Sequence, residues 1–371
     1  MFVYRQDHIS IKNIHSYKYK CIDKSLCSRY ILKYYWSFLT LFIPRWLAPN
    51  VISLLGLITM FISGIITLLF NPELNYKGKS VLHLFNAILL FVYSTFDALD
   101  GKQAVRTNSS SPLGQMFDHG VDSLVTTIVG ITLASSLGLG INYNIILILS
   151  LIYFGFYLVT MHEKYTDNFI LGYLNGPTEG VLIVVALHLL AYFYTPAFFD
   201  YFHKNTFINA LSNVTVLLML CIILYLFYFF IDLLLTIGYK SKILFKNLLF
   251  IVLKLYSLYN VINYFNNSIL YCYLGIFTCM FIFSYMNIEL IFSRIKNTET
   301  PLPPCSYYLF IIYSYSFSIL CDNSKKVGLM ICFIHSFVFY FIKVCSISYV
   351  VSDELKIRVF KIEEEKKNKQ L

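Results

Sequence analysis

Charge is what this sequence has least of. Asp, Glu, Lys and Arg make up only 13% of its 371 residues, about half the roughly 25% of an ordinary soluble domain. A chain so poor in charge cannot cover a water-facing surface, which excludes a conventional soluble globule. Paired cysteine ligands are also missing. The nine cysteines are scattered with no CxxC pair, so neither a zinc module nor a redox dithiol is indicated, and the thiols read as single groups among apolar helices. The first twenty residues are polar and basic rather than apolar, so no cleavable signal peptide is expected. The formal net charge of +9 has no accompanying nucleic-acid motif, and no nucleic-acid partner is expected; the excess reads first as a topology signal.

What is present is apolar surface: 58% hydrophobic residues, 18% aromatic and a mean hydropathy of +0.66. The expected fold class is all-α, a polytopic membrane protein with about ten transmembrane helices of roughly 20 residues each. Candidate runs lie near 51–70, 81–96, 120–138, 144–161, 179–195, 208–238, 247–265, 269–291, 306–320 and 327–350. Before them, residues 26–43 mix aromatic and aliphatic residues with Arg29 and Lys33, the pattern of an interfacial amphipathic helix. With ten spans and both termini cytosolic, 22 of the 29 basic residues fall on the cytosolic side and 5 opposite, as the positive-inside rule requires. The expected organisation is an N-terminal cytosolic and interfacial segment (1–48), a catalytic core (49–200), C-terminal transmembrane helices (201–352) and a charged cytosolic tail (353–371). His83, His188, Asp232, Lys254, Glu289, His335 and Lys343 fall inside spans on many different helices. Scattered in this way they read as structural pairs or snorkelling groups rather than the lining of a transport path.

One stretch breaks the apolar pattern. Residues 97–122 read DALDGKQAVRTNSSSPLGQMFDHGVD. Asp97 and Asp100 are spaced i,i+3, and Asp118 and Asp122 i,i+4, so each pair lies on one face of a helix. Two such pairs on facing helix ends gather about four negative charges beside hydrocarbon, tolerable only if protons or cations neutralise them. All-oxygen ligation selects hard divalent ions, Mg2+ or Mn2+.

The spacing D-x2-D-G-x2-A-x9-G-x3-D-x3-D, carried by Asp97, Asp100, Gly101, Ala104, Gly114, Asp118 and Asp122, resembles the signature of the CDP-alcohol phosphotransferases. The string DGKQAVRTNSSSPLGQMFDHGVDS, the WLAPNVISLLGL run from residue 46 and the HEKYTDNFILGYLNGPTEG loop from residue 162 are similar to the eukaryotic choline/ethanolamine phosphotransferases. The resemblance implies transfer of phosphoethanolamine or phosphocholine from CDP-ethanolamine or CDP-choline to the hydroxyl of diacylglycerol, with release of CMP. It further implies two metal ions on Asp97, Asp100, Asp118 and Asp122, and nucleotide contacts from Asn50, Gly101, Ala104, Arg106 and Gly114. An active site on the cytosolic face of the endoplasmic reticulum membrane or the Golgi, contact with membrane lipid and a homodimer belong to the same set of expectations. The last residues place Lys367 and Lys369 at the spacing of a dilysine retrieval signal.

Several assignments stay open at this level. His119, by its intrinsic pKa, and Asp122 are both candidate catalytic bases, and Asp122 is one turn from His119 and so placed to orient it. Asn50 is either a nucleotide contact or an ordinary helix cap. Glu163 and Glu179 are candidates for receiving a cationic headgroup, Glu179 being equally a favourable helix N-terminal charge. Val105 stands where the signature has arginine, which removes one guanidinium and leaves open a weakened enzyme. Other CDP-alcohol phosphatidyltransferases, such as the inositol type, share the signature; a polytopic transporter would need polar groups at mid-membrane on several helices.

Overall fold

The computed structural model describes residues 13–17, 21–76, 78, 80–165, 169–171, 177–195 and 241–362. The chain enters through a short strand β1 (Cys21–Asp23) and a π-helical turn (Ser28–Leu32) that continues into α1 (Lys33–Thr40). Along this segment Tyr30, Ile31, Tyr34, Phe38, Leu41 and Phe42 are exposed, an apolar face suited to lying in a membrane interface.

Proline and serine then mark where the long helices begin. Pro49 opens α2 (Pro49–Phe70), where its missing N–H costs nothing. The Ser80 hydroxyl accepts from the Leu82 N–H to cap α3 (Val81–Arg106), and Ser111, followed by Pro112, accepts from the Gly114 N–H to cap α4 (Pro112–Leu137). Gly138, at φ +61°, closes α4 in the left-handed conformation that glycine adopts without strain. There follow α5 (Tyr143–Tyr165), strand β2 (Phe169–Leu171), α6 (Pro177–Tyr194), α7 (Ser241–Tyr264), α8 (Ile269–Ile295), α9 (Cys305–Tyr315) and α10 (Asp322–Leu355). The two strands pair in parallel, Ile22 opposite Ile170, which ties the N-terminal segment to the loop before α6.

Among the described residues seven helices, α2, α3, α4, α5, α7, α8 and α10, are long and apolar enough to cross a membrane. The chain is an all-α polytopic membrane protein. The expected span at 208–238, with Asp232, lies outside the described residues, as does the lysine-rich end. The expected span at 306–320 is corrected: α9 has 11 residues, about 16 Å at 1.5 Å per residue, half of what a bilayer needs. Its Tyr307, Phe310 and Tyr313 are buried in the protein while Tyr308, Ile312 and Tyr315 are exposed, so one face of this short helix packs on the core.

Helix α4 is the central element. Within its apolar window 83% is buried, against 33% for α2 and 39% for α3, because it packs on α2, α5, α6 and α8. Polar residues inside the spans find one another. Ser136 bridges His83 Nδ1 at 2.9 Å and His188 Nδ1 at 2.6 Å, and the Asn86 amide meets Ser63 and Thr67. Lys343 pairs with Glu289 between α10 and α8. The Lys254 ammonium sits 4.1 and 4.3 Å from the ring centroids of Tyr153 and Phe283, a cation–π arrangement in place of a counter-ion.

Candidate metal and nucleotide site

Helices α3 and α4 form a hairpin through residues 107–111. Asn108 adopts φ +52° at its tip, a left-handed turn that asparagine tolerates well. The hairpin brings the last turns of α3 against the first turns of α4, and the two aspartate pairs meet there. One carboxylate oxygen each from Asp97, Asp118 and Asp122 fall within 4.8 Å of one another. Asp118 is also within hydrogen-bonding reach of Asp100, which is 5% exposed and accepts from the Ser53 hydroxyl of α2. The Tyr93 hydroxyl donates to Asp122.

The charge balance of this cluster decides its chemistry. No described lysine or arginine forms an ion pair with any of the four aspartates; their neighbours include the Ser53 and Tyr93 hydroxyls, the Gly101 N–H, His119 and one another. Several carboxylates within a few ångströms and partly withdrawn from water are tolerable only with shared protons or an added cation. All donors are oxygen and three already converge on one point, which fits a hard divalent ion.

His119, the residue after Asp118, acts electrostatically on Asp122, the partner its spacing picks out, and also faces Glu163, which the spacing does not reveal. Its Nδ1 lies 3.6 Å from Glu163 Oε2, inside ion-pair range though longer than a hydrogen bond. Glu163, at the end of α5, is 2% exposed. Its other oxygen accepts from Gln115 Nε2 at 2.7 Å and from the Arg294 guanidinium at the end of α8. Gln115 in turn accepts from the Tyr17 hydroxyl at 2.7 Å; burial pushes this phenol up to about 12, so it stays a donor. Glu163 therefore stands behind His119, held by Gln115 and Arg294, rather than in an open headgroup pocket.

The remaining candidates divide. Gly101 is exposed, and a Cβ added there would meet nothing within 4 Å, so packing does not demand glycine at that point. Ala104, one turn further along α3, is half-buried. Gly114 lies beside Asn50: an added Cβ would stand 3.6 Å from Asn50 Oδ1. Asn50 is buried, and its amide donates to Val359 O, 2.7 Å away, in the segment after α10. Arg106 turns to the carbonyls of Thr40 and Ile43 and so closes the end of α1. Val105 is 71% exposed. Glu179, at the start of α6, accepts from the Ser25 hydroxyl and the Cys27 N–H and pins the N-terminal segment. Sequence reasoning missed Ser53, Tyr93, Gln115, Tyr17 and Arg294.

The arrangement is a carboxylate cluster that could hold a metal ion, beside a half-buried His119 that faces the buried Glu163. Comparison with known proteins bears on what such a site serves. The family model of the CDP-alcohol phosphatidyltransferases matches residues 46–241. A CDP-diacylglycerol–serine O-phosphatidyltransferase of Encephalitozoon cuniculi is 35% identical over 204 residues, 55% of this chain and 53% of the relative. A choline/ethanolaminephosphotransferase of Arabidopsis thaliana is 37% identical over 175 residues, 47% of this chain and 44% of the relative. Its namesake in Saccharomyces cerevisiae is 38% identical over 184 residues, covering 50% and 47%. The chain spans about half the length of the curated relatives it matches.

Proposed function

The chain belongs to the CDP-alcohol phosphatidyltransferase family, and on that premise we propose that it transfers phosphoethanolamine, phosphocholine or both from the CDP-alcohol to diacylglycerol. The products are CMP and phosphatidylethanolamine or phosphatidylcholine. The observation that carries the reading is the convergence of Asp97, Asp118 and Asp122 beside His119, with no lysine or arginine among the described residues paired to them.

In this reading Asp97, Asp100, Asp118 and Asp122 hold two Mg2+ or Mn2+ ions, Ser53 and Tyr93 orienting Asp100 and Asp122. The metal, when bound, offsets the charge of the pyrophosphate and of the departing CMP phosphate. The chain's own residues do the rest. Gly101, Ala104 and Gly114 let the nucleotide approach the backbone closely, and Asn50 contacts it. Glu163 faces Nδ1 of His119, which directs Nε2 to the opposite side of the ring, and Nε2 takes the proton of the diacylglycerol hydroxyl. The resulting alkoxide oxygen bonds to the phosphorus next to the alcohol headgroup. The bond from that phosphorus to the bridging oxygen breaks, and CMP leaves with the electron pair. General-base assistance of this kind contributes typically 10² to 10⁴ in rate. His119 is preferred over Asp122 as the base because Asp122 belongs to the carboxylate cage, whereas His119 has its own carboxylate behind it. Glu163 is thereby reassigned from headgroup contact to orienting His119, and Arg106 from nucleotide contact to holding α1. The protein acts at the cytosolic face of the endoplasmic reticulum membrane.

The serine-type relative supports a second reading, in which the CDP group is carried by the lipid and phosphatidyl passes to a soluble alcohol. One assay separates them. Membranes containing the protein receive Mg2+ and either labelled CDP-ethanolamine or CDP-choline with diacylglycerol, or CDP-diacylglycerol with labelled serine or inositol. Label entering phosphatidylethanolamine or phosphatidylcholine supports the first reading. Label entering only phosphatidylserine or phosphatidylinositol replaces it with the second, and no labelled lipid in any arm overturns both.

A further inference from the structure

Beyond α10 the chain does not leave the bundle. Lys356 takes φ +53°, and the Ile357 N–H closes back on Ser352 O at 3.1 Å, a left-handed helix end that reverses the backbone. The segment that follows runs over the start of α2 and α4. Ile357 and Val359 pack against the core cluster that contains Leu113 and Met116 of α4. Val359 O accepts the Asn50 amide at 2.7 Å. Phe360 meets Phe117 edge-on, with centroids 5.6 Å apart and planes at 89°.

Both anchor points adjoin the aspartate cage. Phe117 immediately precedes Asp118, and Asn50 stands one turn before Ser53, whose hydroxyl donates to Asp100. The Asn50 N–H that donates to Val359 O is taken while this segment is in place, which leaves the amide only its second N–H to offer a nucleotide and puts the segment's backbone over that side of the residue. The attachment is also light. Among the described residues it consists of one hydrogen bond, one aromatic pair and two half-buried aliphatic side chains, and Phe360 itself is 48% exposed. A segment held so lightly can be displaced without unfolding anything beneath it.

We propose that residues 357–361 form an autoinhibitory strap that occupies the Asn50 side of the nucleotide site, and that a cytidine nucleotide binds by displacing it. The inference rests on the reading of Asn50 as a nucleotide contact. Closed and open strap are two states of one chain. The nucleotide's apparent affinity is its intrinsic affinity reduced by the fraction of molecules with the strap open, and Lys356 is the hinge between them.

The test uses the full chain in detergent with Mg2+, and labelled CMP as the probe in equilibrium dialysis. Phe360→Ala loosens the strap without touching the site. It should lower the dissociation constant for CMP by roughly two- to tenfold, the worth of an edge-on aromatic pair, while Phe360→Tyr keeps the wild-type value. Equal CMP affinity in wild type and Phe360→Ala overturns the strap alone. Weaker binding in Phe360→Ala overturns it too, by making the segment part of the bound site. Absence of CMP binding in both proteins overturns the nucleotide site and the strap with it. Hydrogen exchange supplies an independent readout: CMP should accelerate exchange of the backbone amides of residues 357–361, and unchanged or slower exchange there contradicts displacement.

Discussion

The α3–α4 hairpin is polar at both ends, and the two ends meet the cost of polarity in an apolar bundle in opposite ways. At the end away from the aspartates, polar groups are largely matched to each other: His83 and His188 share the Ser136 hydroxyl through Nδ1, though their Nε2 atoms make no hydrogen bond, Asn86 meets Ser63 and Thr67, and the Asn71 amide reaches Ser135 at 2.8 Å. At the other end, Asp97, Asp100, Asp118 and Asp122 crowd together, and among the described residues no lysine or arginine pairs with them; the Ser53 and Tyr93 hydroxyls, the Gly101 N–H and His119 are what answers them. Polarity within a membrane bundle is therefore not itself the mark of a site. Uncompensated charge of one sign is, because nothing in the fold explains it and an added ligand must.

Substitutions at each end should have opposite consequences, and the largest effect is expected at the cage. Asp118→Asn should lower turnover by more than a hundredfold, since metal stabilisation of the leaving phosphate is worth several kcal/mol. Measured in chelator, the same variant should melt at a higher temperature than wild type, because it removes one of the mutually repelling carboxylates. Active-site groups often show this exchange of stability for activity. A lower melting temperature in chelator would mean that the carboxylates are compensated after all. His119→Ala should follow, with a loss of roughly 10² to 10⁴ in kcat and unchanged metal binding; near-normal kcat would return the base to Asp122.

Glu163→Gln keeps the volume but removes the charge behind His119. About tenfold to a hundredfold loss is expected, again with metal binding intact, and a loss of metal binding instead would place Glu163 in the cage. Ser136→Ala probes the opposite end. It leaves two buried imidazole nitrogens without their hydroxyl and should cost about 1–3 kcal/mol of stability while kcat stays at the wild-type value. Val105→Arg should do least. The position is 71% exposed, and surface substitutions of this kind change free energies by about 0.5 kcal/mol, so turnover should move by no more than about twofold. A large gain in turnover would show that the missing guanidinium matters.

Most of the cage was legible in the sequence because it is local. The i,i+3 and i,i+4 aspartate spacings fix faces of helices, although hydropathy alone starts the second helix at 120 and the structure starts it at Pro112. A short hairpin can then bring the two faces together in few ways. What stayed illegible joins distant positions. Glu163 lies 48 residues from Gln115 and 131 from Arg294, and Val359 lies 309 from Asn50. Periodicity tells which face a residue occupies but not which other helix that face meets. Hydropathy misread α9 for a related reason: burial of Tyr307, Phe310 and Tyr313 in protein and immersion in lipid demand the same apolar side chains. Arg106 shows the converse, a residue whose type suits phosphate but whose guanidinium is committed to the carbonyls of Thr40 and Ile43.

The most direct test of the contrast between the two ends is a Mn2+ titration of the purified chain followed by electron paramagnetic resonance, which reads bound and free metal separately. Wild type and Ser136→Ala should bind Mn2+ alike and release it to excess Mg2+, while Asp118→Asn should lose most of the binding. Equal Mn2+ binding by Asp118→Asn and wild type would contradict the assignment of the aspartate end as the metal site.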